Sequence, residues 1–266
     1  MIDYKKEFLQ IFSELCRTRH VWAVWEDLIS AMACSLANAL DHDWKCKQHQ
    51  EREEEYAQCI KRLGGIEKPA MCFSVVVKAL EDNPNQDFLG ALYMELNLGN
   101  HWKGQFFTPY NICELMSNIT AEDVENNIAE KGYIAVCDPA CGAGATLIAF
   151  ANRVKKTRYN FQNHVLFVGQ DIDRVAGLMC FIQLSLLGCA GYICIDDTLS
   201  NPMTGHVLYP QKQEGQELWI MPMFRTRQWM WRRELYAFKR TEVQREAEKY
   251  DNKQFYMFFN FEEEKQ

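Results

Sequence analysis

Nine residues near the middle of the chain, Val136-Cys137-Asp138-Pro139-Ala140-Cys141-Gly142-Ala143-Gly144, restrict the fold more than any other stretch. The hydrophobic run Tyr133 to Cys137 reads as a short buried strand. It ends in an acid and a proline, passes through a loop of small residues, and enters a helical pattern from Ala145 to Arg153. A strand, a glycine-rich turn and a helix in that order form a nucleotide-type binding element. Missing side chains let a ligand approach the backbone, and the helix start offers free N–H groups. The acid at the strand end disfavours a phosphate and suits a ligand with a cationic or hydroxyl group. Alone, such a turn is a weak signal.

The neighbouring segments strengthen it. His164 to Gly169 reads as a second buried strand, ending in Gln170-Asp171-Ile172-Asp173. After a further helix, Tyr192–Ile195 reads as a third, ending in Asp196-Asp197. Strand and helix therefore alternate from Lys131 onward, which implies a parallel sheet with its ligand at the carboxyl ends of the strands. Asp138, Asp171 and Asp197 all fall at such ends. Loop solvation or capping explains any one of them; a ligand with ribose hydroxyls and an amino-purine explains the set. Leu218-Trp219-Ile220 is a fourth strand candidate, after a polar loop over 200–216.

The first hundred residues are helical in pattern. Phe8, Leu9, Ile11, Phe12 and Leu15 share one face, as do Trp22, Trp25, Leu28, Ile29 and Met32. Glu51 to Leu63 reads as an exposed charged helix, and helices follow over Met71–Leu80 and Phe88–Leu98. We expect an N-terminal helical subdomain over 1–103 and a sheet domain over 104–266, with a helix from Tyr110 to Ile119 and a polar connector from Glu122 to Lys131. His42, Cys46, His49 and Cys59 have a faintly metal-like spacing but no tight clamp, so they read as a polar helix surface and no metal is expected.

A net charge of −7 excludes a globally basic nucleic-acid binder. The eleven cysteines are scattered, without a CxxC pair, and the chain opens on no signal peptide; both point to reduced thiols and a cytoplasmic location. Val175 to Ile195 carries no charge, but Gln183, Ser185, Gly188 and Gly191 interrupt it, so a buried helix and strand are expected rather than a membrane span. Thr226 to Tyr250 is helical and basic. Arg225, Arg227, Arg232, Arg233, Lys239 and Arg240 surround Trp229 and Trp231. This combination suits a nucleic-acid backbone with stacking, or equally an amphipathic helix with its arginines solvated. Gln254–Phe261 reads as a last strand.

Gly104-Gln105-Phe106-Phe107-Thr108-Pro109, Asp138-Pro139-Ala140-Cys141-Gly142-Ala143-Gly144, Gly169-Gln170-Asp171-Ile172-Asp173 and Asp196-Asp197-Thr198-Leu199 occur in that order. Together they resemble the motifs of the N6-adenine DNA methyltransferases, in particular the modification subunits of type I restriction systems and their phage-borne cousins. The resemblance covers most of residues 1–224. It implies an α/β fold, a Rossmann-like S-adenosylmethionine-dependent methyltransferase sheet preceded by the helical subdomain. It also implies S-adenosyl-L-methionine as cofactor. Phe107, Thr108 and Pro109 match the loop that packs on the cofactor. Asp138, Pro139, Ala140 and Gly142 match the loop around its methionine part, with Ala143 where serine is commoner. Asp171, beside Ile172, matches the ribose-holding acid, and Asp197 matches the acid that accepts from the cofactor's adenine amine.

The family's catalytic Asn-Pro-Pro-Tyr/Phe motif follows the fourth strand. Its Asn and Pro oxygens accept the hydrogens of the target amine, and its aromatic ring stacks on the flipped base. At the aligned position this chain has Met221-Pro222-Met223-Phe224, so Pro222 and Phe224 survive and a thioether replaces the amide. Asn201-Pro202 is an alternative close behind the third strand. The resemblance thus leaves two main readings, ahead of methylation of another substrate such as RNA or protein, which suits the surviving Phe224 less well. One is a DNA adenine methyltransferase, with DNA contacted by Arg225, Arg227, Arg232 and Arg233 and target recognition supplied by a protein partner or a homo-oligomer. The other is a catalytically silent module that binds S-adenosylmethionine or DNA, serving in regulation, assembly or phage counter-defence.

Overall fold

The computed structural model describes residues 2–39, 41, 45–98 and 107–241. His42, residues 104–106 of the first motif, the helix expected beyond 241 and the strand expected at Gln254–Phe261 lie outside them. The chain divides into two units, Met1–Thr226 and Arg227–Gln266. In the second, the described residues form one helix over 227–241.

The sheet of the first unit has the order β1-β2-β3-β6. Strands β1 (Ile134–Asp138), β2 (Val165–Asp171) and β3 (Ala190–Ile195) run parallel, linked by helices α8 (Ala145–Lys155), α9 (Phe161–His164) and α10 (Arg174–Leu186). Asp138 pairs in register with Gly169, and Asp171 with Ile195, so the carboxyl ends of all three strands lie on one rim. β2 and β3 are buried through nearly their whole length, as the apolar runs require in a sheet covered on both faces. β1 is not. Its residues alternate between half-buried and exposed, because among the described residues β2 is its sole strand neighbour. Among the described residues the expected buried strand is therefore an edge strand.

Strand β6 (Glu217–Ile220) joins the far margin, antiparallel to β3, with Tyr192 opposite Ile220 and Ile195 opposite Glu217. The segment before it is not plain loop: β4 (Thr204–His206) and β5 (Tyr209–Gln211) form a short hairpin. The polar connector is also structured, as helix α7 (Val124–Lys131), whose Val124 and Ile128 lie one turn apart and are buried.

Helices α1 (Tyr4–Leu15), α2 (Val21–Ala39), α3 (Lys47–Arg62), α4 (Glu67–Asp82) and α5 (Phe88–Glu95) pack against the sheet layer in one continuous core. Phe8, Phe12, Trp25, Phe88 and Tyr93 form its aromatic centre. Helix α6 (Tyr110–Thr120) lies on α8 through Tyr110, Cys113, Ala145 and Ala149. No helix of the described residues is long and apolar enough to cross a membrane.

Two polar knots hold the helices in place. Arg174, at the start of α10, grips Glu217 of β6 with Nε (2.9 Å to each oxygen), and also reaches Ser30 on α2 and Glu55 on α3 (3.0 Å each). Asp27 on α2 receives Arg19 (2.6 Å) and both Nε (2.8 Å) and a terminal nitrogen (2.6 Å) of Arg62. Burial alone would push the Asp27 carboxyl up, but the hydrogen bonds from Arg62 and Arg19 outweigh it and hold it below the usual range. A carboxyl lowered by folding adds stability above its unfolded pKa, and that stability disappears as pH falls through the folded value. Asp27→Asn is therefore expected to cost about 2 kcal/mol at neutral pH, mostly from lost charge-assisted bonds. The cost should shrink in acid below about pH 4. Urea unfolding at both pH values checks this; an equal cost at each would refute the ion-pair account.

Candidate cofactor-binding site

The loop after β1 turns over the ends of the other two parallel strands. Cys141 N–H donates to the Gln170 carbonyl at 3.0 Å, and Gly142 N–H to Asp171 Oδ2 at 2.8 Å. The hydroxyl of Thr198, just past β3, donates to the Pro139 carbonyl at 2.5 Å. The ring of Phe107 covers Gly142: a Cβ there would stand 3.1 Å from the ring, and the φ of +53° also disfavours a side chain. Phe107 is itself stacked on Tyr93 of α5, with centroids 5.2 Å apart. Four segments far apart in sequence thus interlock at the carboxyl rim of the sheet, and they are the four that carry the sequence motifs. Thr108 and Pro109 are exposed beside them, with Pro109 at the start of α6.

The three acids differ in state. Asp138 accepts from Ala140 N–H (3.1 Å) and from the Thr146 hydroxyl of α8, so its carboxylate is fixed inside its own loop. Asp171 accepts one backbone N–H on each oxygen, from Gly142 and from Asp173 (2.9 Å). Burial raises its carboxyl above the ordinary range, against those two donors. A carboxylate has about four lone-pair sites, so one on each Asp171 oxygen remains for a hydroxyl donor. Asp197 is held low by Leu199 N–H and the Ser200 hydroxyl, both at 2.9 Å. Ile172 is 71% exposed on the rim beside Asp171, an apolar platform next to the acids.

A groove of about 1130 Å³ runs along the free side of β1, between it and α6, α7 and α8. Asp138, Pro139 and Thr146 form part of its wall, but Asp171 and Asp197 do not; they stand across the loop, toward β2 and β3.

The Met221–Phe224 segment is elsewhere. Because β6 runs antiparallel, it delivers Met221 to the amino end of β3, where Met221 N–H donates to the Gly191 carbonyl at 2.9 Å. The four positions from Gly191 to Ile195 put about 13 Å of strand between it and the acid rim. Met221 and Phe224 are buried, the latter 6.1 Å from the Tyr192 ring, in a 3-10 turn over Pro222–Arg225. Pro222 and Phe224, the residues matched to the family's catalytic motif, thus lie at the opposite end of the strands from the acid rim. Asn201-Pro202, by contrast, lies on the acid rim. Asn201 N–H donates to the Asp197 carbonyl (2.8 Å), its side-chain nitrogen to Asp196 (2.8 Å) and the Glu214 carbonyl (3.0 Å), and its own carbonyl accepts from Gln170 and Gln216.

Of the four arginines, Arg225 belongs to the first unit and pairs with Asp41 at 2.9 Å, which Arg52 also binds. Within the 227–241 helix Arg227 is exposed, Arg232 and Arg233 are half-buried, and the Arg232 guanidinium lies 4.5 Å from the Trp229 ring centroid. Trp231 is exposed. Among the described residues no cluster of three or more His, Cys, Asp or Glu is arranged to hold a metal ion. Pattern reading missed Tyr93, Thr146 and Thr198, and also Gln183 and Asp87, the buried polar pair beneath the loop. The one available signal was an amide inside an otherwise apolar helix.

An α/β sheet whose glycine loop and strand-end acids share one rim defines a class of cofactor-binding protein. Within that class the chain belongs to the N-6 DNA Methylase family, whose model matches residues 86–259. No curated protein matches it. Two solved structures match the chain at low identity. One is a Listeria monocytogenes protein assigned to the class I S-adenosylmethionine-dependent methyltransferases, 17% identical, covering 74% of this chain and 66% of that one, with a TM-score of 0.39. The other is a type I restriction-modification methyltransferase subunit from Streptococcus thermophilus, 14% identical, covering 76% and 60%, with a TM-score of 0.38. The chain thus spans about two thirds or less of the length of either.

Proposed function

We propose that the chain is the cofactor-binding part of an S-adenosylmethionine-dependent DNA adenine-N6 methyltransferase. The observation that carries this is the interlock of Phe107, Gly142, Asp171 and Thr198 on one rim. The residues fit the cofactor. Asp171 retains acceptor capacity for ribose hydroxyls, Asp197 is an ionised acceptor for an adenine amine, and the 138–142 loop offers close backbone to the methionine part under Phe107 and Ile172. When bound, S-adenosylmethionine supplies a methyl group on a sulfonium centre. The target amine is a poor nucleophile because its lone pair is conjugated into the ring, and acceptors for its hydrogens localise that pair. We assign this task to Asn201 and Pro202, which lie on the acid rim as Met221 and Pro222 do not. The basic 227–241 helix, with Arg227, Arg232 and Arg233, is the DNA-backbone contact in this reading, and a separate polypeptide or a second copy supplies target recognition.

The second reading, a silent module, is favoured by the placement of Met221–Phe224 away from the rim. Transfer of a labelled methyl group to unmethylated DNA, with cofactor retention scored in the same tube, separates the two. Asn201→Ala is expected to lower transfer about 100-fold with retention intact. Met221→Asn, which puts an amide in the core, is expected to lower stability without raising transfer. Retention without transfer by the unaltered chain on every DNA offered would favour the silent module. No retention at all would overturn the cofactor reading itself.

A further inference from the structure

Gln183 lies in α10, where every residue from Val175 to Leu184 is buried, and it is itself fully buried. Its side-chain nitrogen donates to Asp87 Oδ1 at 2.8 Å and to the Ala143 carbonyl at 2.9 Å, and its oxygen accepts from Leu89 N–H at 3.0 Å. Both N–H groups and one lone pair of the amide are therefore in use. Asp87 caps α5 by accepting from Gly90 N–H at 2.9 Å. One amide thus joins the helical part of the chain to the glycine loop. Ala143 stands between Gly142 and Gly144, and the Gly142 N–H is the one that meets Asp171. Holding the Ala143 carbonyl sets the turn of the loop, and with it the direction of the neighbouring N–H groups.

We propose that Gln183 is a positioning residue for the cofactor loop, one that makes the loop's shape conditional on the docking of α5. The proposal deepens the cofactor reading above and rests on it for its ligand. A core amide serving only to fill space would be replaced by methionine of similar length with a general loss of stability. A positioning amide acts on one loop. The two roles predict different responses from the Gln183→Met chain.

The experiment measures binding of S-adenosylmethionine and of adenosine to the whole chain and to Gln183→Met, together with amide hydrogen exchange over residues 141–144. Adenosine lacks the methionine part that the loop wraps. With all three hydrogen bonds of the amide lost, S-adenosylmethionine affinity is expected to fall about 10- to 100-fold while adenosine affinity stays within about threefold. Exchange at Gly142 and Gly144 should quicken about tenfold or more, with the β2 and β3 amides unchanged. An equal loss for both ligands, or unchanged exchange in the loop, would overturn the proposal. Should the unaltered chain bind neither ligand, the cofactor reading fails separately, and exchange in the loop alone decides the role of Gln183.

Discussion

Asp171→Ala is expected to weaken S-adenosylmethionine retention by about 100-fold or more, the largest effect of any single change on the rim. The side chain works twice. It anchors the glycine loop through Gly142 N–H and the start of α10 through Asp173 N–H, and in the proposed reading its remaining acceptor sites serve the ribose. Alanine removes the ligand's acceptor and leaves two backbone donors unpaired, so binding loses both its contact and the shape of its loop. Equilibrium dialysis with labelled cofactor measures the loss, and circular dichroism shows whether the fold survives. Retention within about threefold of the unaltered chain would remove Asp171 from the site.

The same residue sets a pH dependence. Burial raises the Asp171 carboxyl, so it takes up its proton at a higher pH than an ordinary aspartate. Only the ionised form offers both oxygens to hydroxyl donors. Cofactor affinity should therefore fall as pH drops through this raised value, earlier than an exposed aspartate would dictate. The sign for the fold is opposite: a raised carboxyl penalises the free protein above its titration, and the penalty vanishes in acid.

The largest effect on folding is expected at Gly191, on β3. Its φ is +145°, and a Cβ there would stand 1.8 Å from the Phe167 carbonyl of β2. That neighbour is backbone in the centre of the sheet and has no side chain to swing aside. Gly191→Ala must separate β2 from β3 or turn the peptide that accepts from Met221 N–H. We expect a loss of about 4 kcal/mol or more, enough to leave most of the chain insoluble or unfolded. Expression of the variant with a urea melt of any soluble fraction tests this, and a melt within about 1 kcal/mol of the unaltered chain would show that the two strands can part cheaply.

Much of the architecture was legible because periodicity and punctuation agree. The three parallel strands, their helices and the acids at their ends follow from apolar runs that stop at Asp138, Asp171 and Asp197. Three features were not legible, each for a physical reason. A strand's residues do not encode its direction, so Leu218–Ile220 gave no sign that it would run against β3. A strand's place at the margin is equally silent: the run ending at Cys137 is as apolar as a central strand, yet among the described residues it has one strand neighbour. The helix over Val124–Lys131 was hidden by its polar composition, with two buried residues in eight. The site itself divides in the same way. Motif residues were visible one by one, while the supports Tyr93, Thr146, Thr198 and Gln183 depend on contacts between segments distant in sequence.

The reversed direction of β6 has a consequence for how this protein tolerates change. Its sheet has two rims with separate duties, one built from residues 107–201 and the other closed by the turn at 221–225. Variants drawn at the second rim are filtered by whether the chain folds, since Met221 and Phe224 are core. Under the proposed reading, variants drawn at the first are filtered by what the chain holds. Randomised libraries over the two stretches would therefore yield survivors under different selections, and a redesign of one rim could proceed with the other left as it stands.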